Sequence, residues 1–274
     1  LLTPAIADPI YDAGNKSQLF VDQFLVLDSE NVAHTLHPAR KHPNNPLVKA
    51  DKPWEGWRLE IYGNVIYDEE EQLFKMWYLG EERDAFPDYA LYYATSRDGV
   101  NWEKPLVGTV ETEKYPEHNV VGEQILLASV MKDNDDPNPD HRYKMICWLQ
   151  NDHGYHTMVS PDGLHWTKYE GNPVLPDFSE LPYFDVDDIR KAYGIGDITD
   201  VYWDEFRNRY GVMLKTPAIP SDGYEGGPKA RTYIRRLVST SISNDFVNWL
   251  RPWRVILPEE DEGLLEFYGV GGPI

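Results

Sequence analysis

Four carboxylates in the chain have the type and spacing to act together: Glu60, Asp197, Asp200 and Glu266. Glu60 and Glu266 are the second residues of two matching segments, Leu-Glu-Ile-Tyr-Gly and Leu-Glu-Phe-Tyr-Gly. Asp197 and Asp200 share the segment Gly-Asp-Ile-Thr-Asp. Such a set can supply a general acid together with a base or nucleophile, as cleavage of a glycosidic bond requires. Crowded like charges raise the pKa of one carboxylate, which suits it to donate a proton.

The same acids also have structural interpretations. Glu60 and Glu266 could face solvent at a rim or form an ion pair with Arg58. Asp197 and Asp200 could instead accept hydrogen bonds from backbone donors where a strand begins. The sequence leaves both interpretations open.

Aromatic residues close to these acids are a second indication of a carbohydrate ligand. The apolar C–H faces of sugar rings pack on aromatic rings, so Trp and Tyr beside carboxylates suit a sugar-binding pocket. The candidates for substrate binding in this region are Trp54, Trp57, Arg58, Tyr62, Trp203 and Tyr268. The alternative is that most of these aromatic rings belong to the hydrophobic core.

A basic segment rich in proline, residues 34–46, precedes the first acid. One interpretation is a rigid loop that places Arg40 or His42 beside an anionic sugar. The other is an irregular lead-in that packs on the first repeat.

Three copies of a Ser-x-Asp turn followed by Trp show how these residues are positioned. They occur at 96–102, 160–166 and 243–249. Ser and Asp side chains close tight turns on their own backbone, and Gly supplies a positive φ. The third copy has Phe246 where the others have Gly, so we expect its turn to differ.

Each copy follows a hairpin of two strand-like runs and a third run, so one unit reads as a four-stranded antiparallel sheet. Repeats of this kind predict an all-β chain, a β-propeller built from such sheets as blades. A short helix at 184–193 and a loop at 216–231 interrupt the pattern. The expected organisation is a lead-in with a candidate closing strand at 1–50 and blades over 51–274, at about 59–110, 120–176, 195–258 and, as the start of a fourth, 264–274.

Composition excludes several classes of protein. The chain has 46 Asp and Glu against 26 Lys and Arg, a net charge of −20. This charge repels phosphate, so nucleic acid is not an expected partner. No apolar run reaches the ~18 residues of a membrane helix. The single Cys147 excludes an intrachain disulfide and a Cys-based zinc site, and its apolar neighbours predict a core position.

The acidic run at 133–140 is a candidate for a structural Ca²⁺ site, since carboxylate oxygens are the ligands that Ca²⁺ prefers. The run lacks the ligand spacing of an EF-hand loop, which favours a solvated hairpin instead. No redox cofactor is expected.

Longer segments resemble a known group of enzymes. The runs at 74–78, 92–105, 142–148 and 158–175 resemble five-bladed β-propeller glycoside hydrolases, the superfamily that includes families 32, 43, 68 and 130. Residues 19–48 resemble the start of a bacterial glycosyl-hydrolase-like subgroup.

The resemblance implies a base or nucleophile Asp on the first blade, an Asp that tunes the acid, and a Glu acid. This sequence departs from that pattern. It lacks an Asn-Asp-Pro-Asn-Gly box, has Glu60 on the first blade, and has no acid in the corresponding segment 126–129 of the second blade.

The resulting expectation is a glycoside hydrolase that acts on a plant or algal oligo- or polysaccharide. The alternatives are a phosphorylase of the same fold, which would use cations such as Arg40, Arg58 or Arg231 to bind phosphate, and a non-catalytic sugar-binding propeller. Three blades and one strand cannot close a ring, so the rest is expected from further residues or another chain. The Pro- and Ala-rich residues 1–16 predict a periplasmic or secreted protein that has lost an export signal.

Overall fold

The computed structural model describes residues 14, 26, 28–81, 84–86, 89–149, 152–175, 199–218, 235–256, 267 and 271. The chain forms two compact units, Leu1–Asn45 and Pro46–Ile274. In the first unit, the described residues from 28 to 45 contain a bend, a turn and no strand, and all of them are exposed. A closing strand was expected within residues 1–50, and most of residues 1–27 lie outside the described residues.

The described residues of the second unit form three antiparallel sheets, one for each Ser-x-Asp turn. The first sheet consists of β1 (Leu59–Glu60), β2 (Val65–Asp68), β3 (Leu73–Gly80), β4 (Ala90–Ser96), β5 (Trp102–Glu103) and β6 (Val120–Glu123). The second consists of β7 (Ile125–Lys132), β8 (Tyr143–Leu149), β9 (Asp152–Ser160) and β10 (Thr167–Lys168). The third consists of β11 (Thr199–Asp204), β12 (Arg209–Ala218), β13 (Arg235–Ser243) and β14 (Trp253–Ile256). The prediction of an all-β chain of four-stranded antiparallel blades is confirmed, and we call these sheets blades 1 to 3.

Both edges of blade 1 are divided between two short strands. β1 and β2 pair with successive parts of β3, and β5 and β6 pair with opposite ends of β4. β5 reaches only Thr95 and Ser96, so β6 can pair along Ala90–Tyr92. The sequence assigned 120–123 to the second blade, whereas these residues complete the edge of the first.

Alternating side chains place the cores on the two faces of each blade. In β3, Trp77 and Leu79 face a cluster shared with blade 2, while Met76 and Tyr78 face the opposite side. In β8, Met145 and Cys147 join that shared cluster, whereas Ile146 packs towards blade 3. Cys147 is fully buried, as predicted, and its burial raises the pKa of the thiol to about 12.

Gly63 allows blades 1 and 2 to approach each other. A Cβ atom at this position would lie 2.8 Å from the Cα atom of Ser129 and closer still to the carbonyl oxygen of Ala128. Both are backbone atoms, so only glycine fits without moving one blade.

The Ser-x-Asp turn has the same form in all three copies. The Asp side chain accepts hydrogen bonds from the backbone two and three residues on, at 2.7–2.9 Å in each copy. Phe246 has φ 66°, close to the 72° of Gly99 and the 78° of Gly163. The expectation of a different third turn was therefore wrong. The Phe246 ring is fully buried against Tyr210 and Trp249, and this packing offsets the strained backbone.

A carboxylate at the end of β2 in blade 1 and one just after β7 in blade 2 each bond to the next blade. Asp68 is fully buried and accepts from Tyr143 Oη of blade 2 at 2.7 Å, and it pairs with Lys75 and Lys132. In blade 2, Asp133 accepts from Tyr210 Oη of blade 3 at 2.5 Å and pairs with Lys144.

Blade 3 has Gly211 at the position of Lys75 and Lys144. The ring of Tyr202 occupies the space that a side chain at this position would need. The third blade therefore lacks the lysine that accompanies the carboxylate in the other two, and Asp204 is instead near Arg207 and Arg209.

Several sequence predictions fall outside the described residues: the helix at 184–193, most of the loop at 216–231, and nearly all of 264–274. The loop begins later than expected, because β12 continues to Ala218. Within the described part of the chain, no helix has the length and hydropathy to cross a membrane.

Candidate functional site

A buried glutamate anchors the loop that carries several of the candidate residues. Glu55 is fully buried and accepts from the backbone of Asp51 and Lys52, at 2.9 and 3.0 Å. Its carboxylate also accepts from Tyr78 Oη and pairs with Lys104, both at 2.6 Å. These contacts fix the loop on blade 1 just before β1.

Arg58 lies at the end of this loop and joins two carboxylates. Its Nε donates to Glu60 Oε1 at 2.6 Å, and a second guanidinium nitrogen contacts the same oxygen. Its Nη1 lies 3.8 Å from Oε1 of Glu81, which follows β3. The hydrogen bond to Glu60 raises the pKa of Arg58, so the guanidinium keeps its charge.

The two carboxylates differ in exposure. Glu81 is 5% exposed, whereas the Glu60 side chain is 25% exposed. Tyr89 hydrogen-bonds to Glu81; burial raises the pKa of this phenol first, and Glu81 raises it further. The Tyr89 hydroxyl thus keeps its proton at neutral pH and acts as a donor to the buried carboxylate. Arg58, Glu60, Glu81 and Tyr89 are called the Arg58 cluster below.

The aromatic candidates have different environments. Trp57 is 71% exposed, and the Arg58 guanidinium carbon lies 5.7 Å from its ring centroid. Trp54 is partly buried and donates to Asn119 Oδ1 at 2.7 Å. Tyr62 packs against the core between blades 1 and 2, and Trp203 packs on Tyr210 with ring centroids 4.8 Å apart. Of these four rings, Trp57 is the most exposed.

Asp200 belongs to a second set of contacts, at the first strands of the three blades. Ser129 Oγ lies 3.4 Å from both Asn64 Oδ1 and Asp200 Oδ1. The side chain of Asn64 accepts from Val130 N at 3.3 Å, and that of Ser129 accepts from Val201 N at 2.9 Å. Asn64, Ser129 and Asp200 hold matching places in the repeat, so two of the three accept from the next blade's backbone. This pattern favours the interpretation of Asp200 as a side chain that caps a strand.

The remaining sequence candidates are not brought to these contacts by the described part of the chain. Arg40 and His42 are exposed residues of the first unit, where His42 Nδ1 accepts from Asn44 N at 3.2 Å. Asp197, Glu266, Tyr268 and Arg231 lie outside the described residues.

Sequence reasoning missed Glu81 and Tyr89. Comparing the repeats directed attention to the first strand of each blade, whereas Glu81 follows the second strand. Register supplies the missing link, because Leu59 and Glu60 pair with Gly80 and Leu79. A signal was present, since Glu81 lies three residues after the predicted hairpin strand at 74–78.

The Arg58 cluster has the elements of an acid–base site. Because both carboxylates bind one guanidinium, the bonded oxygens lie closer together than the ~9.5 Å upper limit for glycosidase pairs. No group of three or more metal-ligating side chains occurs among the residues that the structure describes. Asp133 and Asp136 of the acidic run instead pair with Lys144.

Several solved structures are similar to this chain over part of their length. The fructofuranosidase of Schwanniomyces occidentalis, complexed with fructose, has a TM-score of 0.49 and 16% identity, covering 74% of this chain and 35% of that one. Exo-inulinase from Aspergillus awamori has a TM-score of 0.47 and 13% identity, covering 72% and 37%. A thermostable family-43 glycoside hydrolase has a TM-score of 0.44 and 14% identity, covering 81% and 64%.

This chain thus spans about a third of the fructofuranosidase and of the exo-inulinase. No protein-family model and no curated protein matches the chain.

Proposed function

We propose that the chain is part of a glycoside hydrolase and that the Arg58 cluster belongs to its active site. The observation that carries the proposal is the pair Glu60 and Glu81 on one guanidinium beside the exposed Trp57 ring. Glu60 offers a partly exposed carboxylate that Arg58 and the buried Glu81 hold in place, and a glycosidase needs such a group together with a partner carboxylate.

The roles follow from exposure. Glu60, the more exposed of the two, is the carboxylate that meets the substrate. Glu81 is buried with Tyr89 and holds Arg58, so it acts as a positioning residue. Trp57 offers its ring to the face of a sugar. Asp200, together with Asp197 and Glu266, provides the candidates for the partner carboxylate, and no redox cofactor is needed.

The charge of the cluster supports hydrolysis over phosphorolysis. A phosphorylase has to present free cations to phosphate. Arg58 already contacts two carboxylates, so its charge is compensated. The substrate class, a plant or algal oligo- or polysaccharide, and a periplasmic or secreted location are carried by the sequence alone.

The test is hydrolysis of inulin, arabinan, xylan and laminarin oligosaccharides, with and without phosphate. We expect Glu60→Gln to lower kcat by about 10²–10⁴-fold, the usual contribution of acid–base groups. Trp57→Ala should mainly raise KM, because its ring binds sugar without taking part in proton transfer. Glu103→Gln, an exposed glutamate on β5 of the same blade, is the matched control and should leave kcat and KM unchanged.

Full activity in Glu60→Gln, in Glu81→Gln and in Asp200→Asn would contradict the proposal. Cleavage only in the presence of phosphate would indicate a phosphorylase. Sugar binding without turnover on every substrate would indicate a non-catalytic binding propeller.

A further inference from the structure

A cavity of about 370 Å³ lies between blades 1 and 2, away from the Arg58 cluster. Its walls come from β6, the start of β7, the end of β8, β9, the second Ser-x-Asp turn and β10. Cavities of this size are at the lower end of those that bind small molecules. All its described lining lies within the second unit.

The lining combines an apolar floor with a polar rim. The floor consists of Val121, Ile125, Leu149 and Met158, all buried in the core between the two blades. The rim carries carboxylate, amide, hydroxyl and ammonium groups from Glu123, Gln124, Asp152, Thr167 and Lys168. The rim carries two carboxylates and one ammonium group, so it disfavours an anionic ligand. Its polar groups also disfavour a lipid. A neutral ring with one apolar face and several hydroxyls matches both parts.

One rim group is held in place from within the fold. His156 is fully buried, and its Nε2 lies 2.9 Å from Asp152 Oδ2. Its Nδ1 lies 3.0 Å from the carbonyl oxygen of Gly154. The imidazole therefore fixes the carboxylate at the cavity rim.

Trp166, which also lines the cavity, provides an independent observation. In the first and third turns, the indole N–H of the Trp that ends the turn donates to a carbonyl oxygen of the same turn. Trp102 donates to Gly99 O at 3.2 Å, and Trp249 donates to Phe246 O at 3.0 Å. In the second turn, the matching acceptor, Gly163 O, instead receives Trp77 Nε1 at 2.8 Å.

Trp166 Nε1 is consequently a buried donor without a hydrogen-bond partner among the described residues. Buried polar groups in native proteins are almost always paired, with protein, water or ligand. The second turn thus differs from its two copies at the place where the cavity lies.

We propose that this cavity is a second carbohydrate site, which binds one neutral pyranose unit without cleaving it. Register places it at the same end of blade 1 as Glu60, because Leu59 pairs with Gly80, Gly80 with Ala90, and Ala90 with Glu123. Three strand spacings put Glu123 about 14 Å from Leu59. The site therefore holds a sugar unit of a chain or branch that extends away from the Arg58 cluster.

The test follows the indole N–H resonances by ¹⁵N-correlated NMR, with the Trp166 signal assigned by its loss in Trp166→Phe. Methyl glycosides of glucose, galactose, mannose and xylose are added up to about 50 mM, well above a millimolar dissociation constant. We expect at least one glycoside to shift the Trp166 signal. Thr167→Tyr, which fills the rim, should abolish the shift.

The repeat offers a matched control. Glu103 of β5 corresponds to Thr167 of β10, is exposed and does not line the cavity, so Glu103→Tyr should retain the shift. Glu60→Gln should also retain it, which separates this site from the proposed active site and from the outcome of the hydrolysis assay. If Thr167→Tyr does not fold, Lys168→Phe serves as the blocking variant.

The proposal is overturned if no glycoside shifts the Trp166 signal, or if the shift persists unchanged in the blocking variant. It is also overturned if Glu60→Gln abolishes the shift, because the sugar would then occupy the first site only.

Discussion

Phe246 shows at the level of one residue how packing can outweigh backbone strain. A non-glycine residue with φ near +60° is held about 1–2 kcal/mol above the helical region. The sequence indicated only that glycine was missing from the third turn. It gave no measure of the core that Tyr210 and Trp249 form around the ring, so the unchanged turn could not be foreseen.

This balance predicts the order of two variants. Phe246→Ala removes the buried ring while leaving a Cβ atom in the strained backbone, so we expect a loss of about 3–5 kcal/mol. Phe246→Gly removes the ring and also the strain, and should be about 1 kcal/mol more stable than the alanine variant. Urea unfolding of both measures the difference. An alanine variant at least as stable as the glycine variant would contradict this account.

Asp68 makes stability depend on acid pH. Burial alone would raise the pKa of Asp68, but hydrogen bonds from Lys132, Lys75 and Tyr143 outweigh it and hold the pKa well below its usual range. A carboxylate with a lowered pKa in the folded state stabilises above its unfolded value, about 3.9, and this contribution is lost as pH falls further.

We therefore expect the free energy of unfolding to fall as pH drops below about 4. Asp68→Asn should be less stable at pH 7 and should show a shallower loss between pH 4 and pH 2. Glu69→Gln, an exposed neighbour in the same turn, is the control. The account fails if the two variants lose stability with the same slope as the parent chain.

The residues of the candidate sites differ in what is needed to predict them from the sequence. Glu60 could be predicted because a repeated segment marks it. Glu81 could not, since its proximity to Arg58 depends on the pairing of β1 with β3. Trp166 is a further case, because its unpaired indole results from competition with Trp77, which is 89 residues away in the sequence.

At the level of elements, the blades could be predicted because Ser-x-Asp turns and alternating side chains recur in each. The strands at the edges of the sheets were harder to predict from the sequence. Val120–Glu123 are apolar enough to begin blade 2, and only the short reach of β5 leaves room for them on β4. Ser129 of the second blade likewise contacts both neighbouring blades, through Asn64 and Asp200.

The contacts between blades predict the effect of two tyrosine variants. Tyr143→Phe removes the hydroxyl that donates to buried Asp68, and Tyr210→Phe removes the one that donates to Asp133. Each should lower the free energy of unfolding by about 1–3 kcal/mol, the cost of a lost bond to a buried charged acceptor.

Chemical denaturation of both variants checks this, with Tyr67→Phe, an exposed tyrosine on β2, as the control. Tyr143 is 2% exposed and Tyr210 is 8% exposed, so Tyr143→Phe should lower the free energy of unfolding more than Tyr210→Phe. If neither variant changed the free energy of unfolding, the lysines alone would hold the blades together.

At the level of the whole molecule, the net charge of −20 opposes compaction. Salt bridges offset part of the repulsion between acidic groups. Asp68, Glu55 and Asp136 each pair with a lysine. The excess of acidic groups is spread over exposed turns, where salt can screen it.

We expect the midpoint of thermal unfolding to rise by about 2–4 °C between about 20 and 200 mM NaCl, the shift that ~1 kcal/mol gives in a chain of this size. Differential scanning fluorimetry measures it. A midpoint that falls with salt would show that attractive ion pairs dominate over repulsion.

Gly211 has a consequence for how such a chain can be rebuilt. The first two blades present a lysine at this place, whereas the third gives the space to the ring of Tyr202. Positions 202 and 211 pair within one blade, so a whole-blade exchange would carry both, whereas Gly211→Lys alone would direct an ammonium group to where an aromatic ring now packs. Anyone who grafts single strands between the blades must therefore change positions 202 and 211 together.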